Sequence, residues 1–430
     1  MTGTPTRDFV LVLTNYYPFD KGEEYLESEL PVLAETFKTV VVAPLMTTSS
    51  SVQTRELPSG VTLVHPVAGR STSQRIMDMA QQSFTPDRRP WPPLKAMFRR
   101  HPVHSAFDAY LESRALAAYS ELLKHEDEFL PSAGSDVCIY SYWFYLTARV
   151  GALVKDRWSP NYNVRLVSRG HGYDVNVLAS RVKYLPLREE LLASVDSLYP
   201  VSDNTTNYMK STYPRFAHKV ETRRLGSPGH EFVNQAEQVP LHLVTVSTIR
   251  PLKRLELVGE AVSLLCKHFG DVRWSHLGSG SSAYASEFIQ QWLAALGPKH
   301  VKFVGQLANR DVHQWFRENS ATVFINASSS EGVPVSIMEA MSYGLPIIAT
   351  DVGGTRELFE GDMFDGLLPA DITSQNLADT ILRLATCEKT KYREQAQSSR
   401  RAWENCWHSE KNYKDFIHDL EVPRPFTATP

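Results

Sequence analysis

Apolar positions along this chain fall into two recurring spacings. Short unbroken apolar runs are each followed by a polar turn and then by a stretch of helical period. Phe9-Val10-Leu11-Val12-Leu13 is the first run, residues 14–22 read as the loop after it, 23–37 as a helix and 39–43 as a second strand. Strand, loop, helix and strand at this spacing predict a parallel βαβ unit. Further strands are predicted at 137–140, 165–167 and 197–200, with helices over 106–125 and 185–195. Residues 221–240 lose the periodicity and carry Gly226-Ser227-Pro228-Gly229, the composition of a linker. The alternation restarts at 241–246 and continues with strands near 272–277, 300–304, 321–325, 347–349 and 366–368. The pattern predicts an α/β chain of two doubly wound, Rossmann-like domains. Their expected bounds are 1–225 and 241–406, with 226–240 as linker and 407–430 as a terminal helical segment.

One stretch, 325–357, concentrates the chemistry: INASSSEGVPVSIMEAMSYGLPIIATDVGGTRE. A strand ends at Ile325, a polar loop follows, and a helix runs to Tyr343 before Gly344 closes it. Pro334 suits the first helical turn, where its missing N–H costs nothing. Gly332 lets the backbone come close to a ligand. With Val333, these residues lead into a helix whose first N–H groups have no internal partner and carry the positive end of the helix dipole, which suits a phosphate. Glu331 stands before the helix and Glu339 within it, about 12 Å along the axis. That separation suits the two ends of a nucleotide-linked sugar, each carboxylate accepting a pair of hydroxyls. Gly353 and Gly354 add backbone N–H groups in a nest-like turn.

Composition narrows the partners. Forty-five basic against 48 acidic residues leave a net charge of −3, so nothing global favours nucleic acid. Four cysteines, Cys138, Cys266, Cys387 and Cys406, lack CxxC spacing, which fits a reducing compartment without a disulfide framework or a zinc site. No apolar run approaches the roughly 20 residues of a membrane span, and the first strand-length run lacks the character of a signal peptide. The expectation is a cytoplasmic protein, with peripheral attachment to the inner membrane face left open. Residues 68–105 carry seven basic and two acidic side chains interleaved with Phe84, Trp91 and Phe98. Two readings stand for this stretch: contact with an anionic lipid surface or lipid-linked acceptor, centred on 84–100, or a solvated lid.

Glu331-x7-Glu339, set in GVPVSIMEAMSYGLPIIATDVGGTRE, closely resembles the donor site of family 4 glycosyltransferases. That resemblance implies a GT-B fold, with two Rossmann-like domains facing a central cleft and the last helix crossing back onto the first domain. It implies transfer of a sugar from a nucleotide-diphosphate sugar, UDP- or GDP-linked, to a hydroxyl of a glycan, glycolipid or small molecule, with the anomeric configuration kept. No metal and no cofactor beyond the donor is expected. By resemblance Lys253 binds the diphosphate, but Thr248 stands where the family has an arginine. Arg250 or Arg254 then supplies the second charge. Gly278, in Leu277-Gly278-Ser279-Gly280, looks like the loop beside the nucleoside, and 305–311 like the wall of the base pocket. Gly22 is the point of close approach in the first loop. His171, in Arg169-Gly170-His171-Gly172-Tyr173-Asp174, matches a histidine that contacts the donor sugar. Its flanking glycines predict an exposed imidazole, with Asp174 to orient it or bind an acceptor hydroxyl. The aromatics 142–145 suit either sugar stacking or core packing, the latter for at least two of them. The same fold hosts nucleotide-sugar epimerases, and a catalytically degenerate partner subunit is the non-enzymatic alternative, which Thr248 favours.

Overall fold

The computed structural model describes residues 7–20, 22–67, 102–177, 180, 182–234, 237–359 and 366–420. The basic and aromatic stretch 84–100, together with the final residues 421–430, lies outside these. The chain forms two compact units, one running to Arg223 and taking back Tyr413 onward, the other spanning Arg224–Asn412.

The first unit contains strands β1 (Arg7–Thr14), β2 (Phe37–Pro44), β3 (Val61–Leu63), β4 (Asp136–Ser141), β5 (Asn163–Gly170) and β6 (Ser197–Pro200). They form one sheet in the order β3-β2-β1-β4-β5-β6, with every pair parallel. Successive residues of β1 serve opposite faces. Phe9, Leu11 and Leu13 join one core, while Val10 and Val12 join the other. Both faces of the sheet are therefore covered, which is why the strand reads as an unbroken apolar run. The β3 strand was not expected from the sequence, because three residues after a Ser/Thr-rich loop carry no period.

The second unit contains β7 (Leu241–Val246), β8 (Val272–Leu277), β9 (Val301–Gly305), β10 (Val323–Asn326), β11 (Ile347–Thr350) and β12 (Leu367–Leu368). Its order is β12-β11-β10-β7-β8-β9, again parallel throughout. Counted from the first strand of each unit, both sheets follow the order 3-2-1-4-5-6, the doubly wound arrangement that reverses direction between strands 1 and 4. Those switch points fall at β1/β4 and β7/β10, and the carboxyl ends of these strands are where such sheets hold ligands.

The C-terminal segment does not run as one helix. Helix Lys389–Ala402 passes into a wider turn at Trp403–Trp407, and His408 is extended before helix Ser409–Asp419. Trp403 and Trp407 belong to the core of the second unit. Phe416, Ile417 and Leu420 belong to the core beneath the first sheet.

Candidate functional site

In the second unit, the loops after β7 and β10 are laced together. Arg254 takes a left-handed conformation, φ 46°, at the end of the β7 loop. Its guanidinium donates to the carbonyls of Ala327 at 2.7 Å, Ser328 at 3.0 Å and Ala370 at 2.7 Å. The Ser329 amide returns a bond to Leu252 O at 2.9 Å. Arg254 thus fixes the frame of the site with all three of its nitrogens. Arg250 and Thr248 are exposed.

This lacing brings Lys253 to Glu331, its Nζ 2.6 Å from Oε1, with side chains only 16% and 11% exposed. Asn326 Nδ2 donates to the same oxygen at 3.2 Å. An ammonium has three N–H donors and a carboxylate two oxygens, so this contact leaves capacity on both partners. Just beyond it, Pro334 stands at the entry to helix Val335–Ser342 with an extended ψ of 112°, so the helix begins one residue after the proline. Gly332, Val333 and Pro334 form the turn leading in.

The Gly353–Gly354 turn closes against that entry. The amide of Gly354 donates to Gly332 O at 2.7 Å. Gly353 has φ +57°, and a Cβ there would fall 1.9 Å from Glu331 O, so only glycine permits the approach. Gly278 has an equally local reason: at φ +126°, a Cβ would fall 1.9 Å from Ser247 O, in the loop after β7.

Glu339, on the second turn of the helix, is 5% exposed. Its Oε1 accepts from Asn309 Nδ2 at 2.6 Å. Burial pushes its carboxyl up to about 7, and the Asn309 bond opposes that only in part. Asn309 opens helix Asn309–Glu318 and escaped the sequence reading, since nothing in a lone Asn ties it to a carboxylate 30 positions later.

In the first unit, His171 follows β5. Its imidazole is 12% exposed on its side chain and wedged between Tyr142 and Trp143, with ring centroids at 4.5 and 4.4 Å. The exposed imidazole expected from the flanking glycines is corrected here: aromatic rings from the β4 loop cover it. Both ring nitrogens are sealed and unpartnered. Asp174 does not orient the ring through a hydrogen bond, since Nδ1 stands 3.9 Å from Oδ2. Its buried carboxylate instead accepts from the amides of His171, Gly172 and Phe144 at 2.8, 2.9 and 2.9 Å. Burial works against the charge, but the neighbouring imidazole and these amides hold the carboxyl below its usual range. Tyr142 and Phe144 are core residues, 1% and 0% exposed.

Gly22 has φ +104°, with open space where a Cβ would stand. The loop around it is organised by Glu23, which sequence periodicity placed inside a helix. The helix begins only at Leu26, and Glu23 sits at φ 60°. Its carboxylate accepts from the amides of Asn15, Tyr16 and Tyr17 at 2.7, 2.8 and 2.7 Å and from Trp143 Nε1 at 2.7 Å. Among the described residues, no three His, Cys, Asp or Glu side chains gather as a metal site would need. Among the described residues, no helix is long and apolar enough to cross a membrane.

Residues 240–387 match the family model of glycosyl transferases, group 1. That segment holds the laced loops, Glu331, Glu339 and the glycine turn. Among curated proteins, the chain is 27% identical over 187 residues to the amylovoran biosynthesis glycosyltransferase AmsK of Erwinia amylovora, covering 40% of this chain and 43% of that one. It is 27% identical over 210 residues to a putative colanic acid biosynthesis glycosyltransferase, WcaL, of Escherichia coli, covering 46% and 50%. The chain thus spans about half the length of these curated relatives. Solved structures match more of it. A sucrose-phosphate synthase of Thermosynechococcus elongatus aligns with a TM-score of 0.67 at 15% identity over 96% of this chain and 98% of that one. HepE of Anabaena, in complex with UDP-glucose, aligns with a TM-score of 0.59 at 14% identity over 96% and 99%. At such identities the likeness shows the fold, which is GT-B: two Rossmann-like sheets of six parallel strands with their helices.

Proposed function

We propose that this chain is a retaining glycosyltransferase of the family 4 type. It transfers a sugar from a nucleotide-diphosphate sugar to a hydroxyl acceptor in the assembly of a cell-surface polysaccharide or glycolipid. The observation that carries the reading is the Lys253–Glu331 contact of 2.6 Å, at the switch point of the second sheet and beside the entry to helix Val335–Ser342. A cation, free helix amides and a carboxylate with an unused oxygen meet where a doubly wound sheet holds its ligand. The family match over 240–387 and the polysaccharide-assembly names of the relatives support it, and the UDP-glucose bound by HepE supports a uridine nucleotide.

In this mechanism the free N–H groups of Lys253 and the N–H groups of Gly332, Val333 and Val335 meet the charge that grows on the departing diphosphate. Glu331 Oε2 holds hydroxyls of the donor sugar. Glu339 holds the ribose, with Asn309 setting its direction. The bond from the anomeric carbon to the phosphate oxygen breaks, and the acceptor oxygen bonds to the same face of that carbon. The acceptor proton leaves with the phosphate. Protein groups meet the phosphate charge, so no metal enters the scheme.

A thermal-shift screen with UDP-, GDP- and ADP-sugars tests the donor site, since a ligand that binds the folded form alone raises its melting temperature. At least one should shift the wild type, and Lys253→Met should lose most of that shift and cut transfer by about a hundredfold, as loss of a charge-stabilising donor does. Wild-type binding and turnover in Lys253→Met would sink the proposal, as would conversion of the donor with no acceptor present.

A further inference from the structure

The first unit has a switch point of its own, and its chemistry differs from that of the second. Tyr173 is 51% exposed, yet it is held on two sides. Its ring lies 4.9 Å from that of Trp143 at 37°, and Asn15 Nδ2 donates to its hydroxyl at 3.4 Å. Asn15 is itself buried at 8%, and Trp143 is fixed in turn by Glu23. These four residues come from the loops after β1 and β4, the strands flanking the reversal, and after their neighbour β5, all at carboxyl ends. An exposed aromatic on a glycine-rich loop would ordinarily be free to swing. This one is backed by an indole, pinned at its hydroxyl and set on a loop whose amides are satisfied by a buried carboxylate.

We propose that Tyr173, backed by Trp143 and pinned by Asn15, is a stacking platform for the pyranose ring of a glycan acceptor. This rests on the glycosyltransferase reading and goes beyond it by naming the acceptor's chemical class and the residues that receive it. A pyranose has a face of C–H groups and a rim of hydroxyls. The tyrosine offers an apolar face to the first and its hydroxyl to the second. Holding the ring in place before binding lowers the ordering cost of capturing a flexible sugar. A nucleobase also stacks on an aromatic face, and the test separates the two.

Saturation-transfer NMR on the full chain, with UDP present, uses the methyl α-glycosides of glucose, galactose and mannose as probes, and uridine as control. At least one glycoside should receive saturation at its ring C–H protons from the wild type. Tyr173→Ala should weaken that binding roughly tenfold, the scale set by losing the apolar area of one stacked ring. Tyr173→Phe keeps the face and should stay within about threefold. Unfolding midpoints of both variants report that they fold. Equal glycoside binding by the wild type and Tyr173→Ala overturns the proposal. So does uridine competing for Tyr173, or the absence of any glycoside signal from a wild type that binds a nucleotide sugar. A wild type that binds no nucleotide sugar at all refutes the donor reading instead.

Discussion

Replacing Glu339 with Gln should stabilise the second unit while weakening nucleotide binding, and the two effects should separate along the pH axis. Glu339 is buried at 5% exposure, and burial pushes its carboxyl from 4.5 up to about 7 against the pull of the Asn309 bond. A carboxyl raised in the folded state binds more protons there than in the unfolded chain, between those two values. Wild-type stability therefore falls as pH rises from about 4.5 through 7 and then levels, a total loss of about 3 kcal/mol. A glutamine at this position accepts the same Asn309 bond through its amide oxygen and carries no charge to desolvate. The variant should exceed the wild type by about 1 kcal/mol at pH 5 and about 3 kcal/mol at pH 8. Urea unfolding followed by tryptophan fluorescence across that range measures the difference. Calorimetric titration with UDP measures the other half. If the ribose needs the ionised carboxylate, wild-type Kd should rise about tenfold from pH 8 to pH 6, where about a tenth of the group is charged. The Gln variant should bind weakly at both. A variant no more stable than the wild type at pH 8 would refute the buried-charge reasoning. A flat pH profile for UDP binding would refute the ribose assignment.

Two further substitutions probe the frame around the two sites. Arg169 and Glu29 are both 0% exposed and 3.4 Å apart, with the guanidinium 3.7 Å over Phe416 and bonded to Tyr140 and the carbonyl of Arg223. Arg169→Met leaves Glu29 buried without its cation and should cost about 3–5 kcal/mol, read by urea midpoints. Adding Glu29→Gln should restore most of this loss, and a single variant within 1 kcal/mol of wild type would show the pair to be idle. Gly353→Ala places a Cβ 1.9 Å from Glu331 O at a residue with φ +57°, which forces the turn apart. It should destabilise by about 1–3 kcal/mol and weaken nucleotide-sugar binding in the thermal-shift screen, whereas an unchanged shift would separate the turn from the donor site.

The layering of both sheets was legible because burial on two faces leaves unbroken apolar runs, as at Phe9–Leu13. The helix after Glu331 was legible because Gly332, Pro334 and Gly344 mark its ends. What the sequence did not carry is pairing across strands. Lys253 and Glu331 stand 78 positions apart, and only the adjacency of β7 and β10 brings their loops together. Arg254 offered itself as a phosphate cation in the one-dimensional reading, but the same adjacency surrounds it with carbonyls. His171 reads as exposed between two glycines until the β4 loop lays Tyr142 and Trp143 over it. Glu23 reads as a helix residue because the helical period extends over 23–37. Its actual task, gathering three amides and an indole, depends on a backbone at φ 60° that no periodicity encodes.

The Lys253–Glu331 pair, the Arg254 bonds to Ala327 and Ser328, and the Glu23–Trp143 bond share one cause. In a doubly wound sheet the reversal of strand order makes strands 1 and 4 neighbours, although two strands and their helices separate them in sequence, three helices in the second unit. Side chains at the carboxyl ends of those two strands therefore meet only where strands 1 and 4 are paired. In the second unit that meeting produces an ion pair beside a helix entry, and in the first it produces a carboxylate-fixed indole beneath an exposed tyrosine. One topology thus assembles an ion pair in one unit and an aromatic face in the other, through the side chains placed at the strand ends. On the reading proposed above, that difference would direct a phosphate-bearing substrate to the second unit and an uncharged sugar to the first.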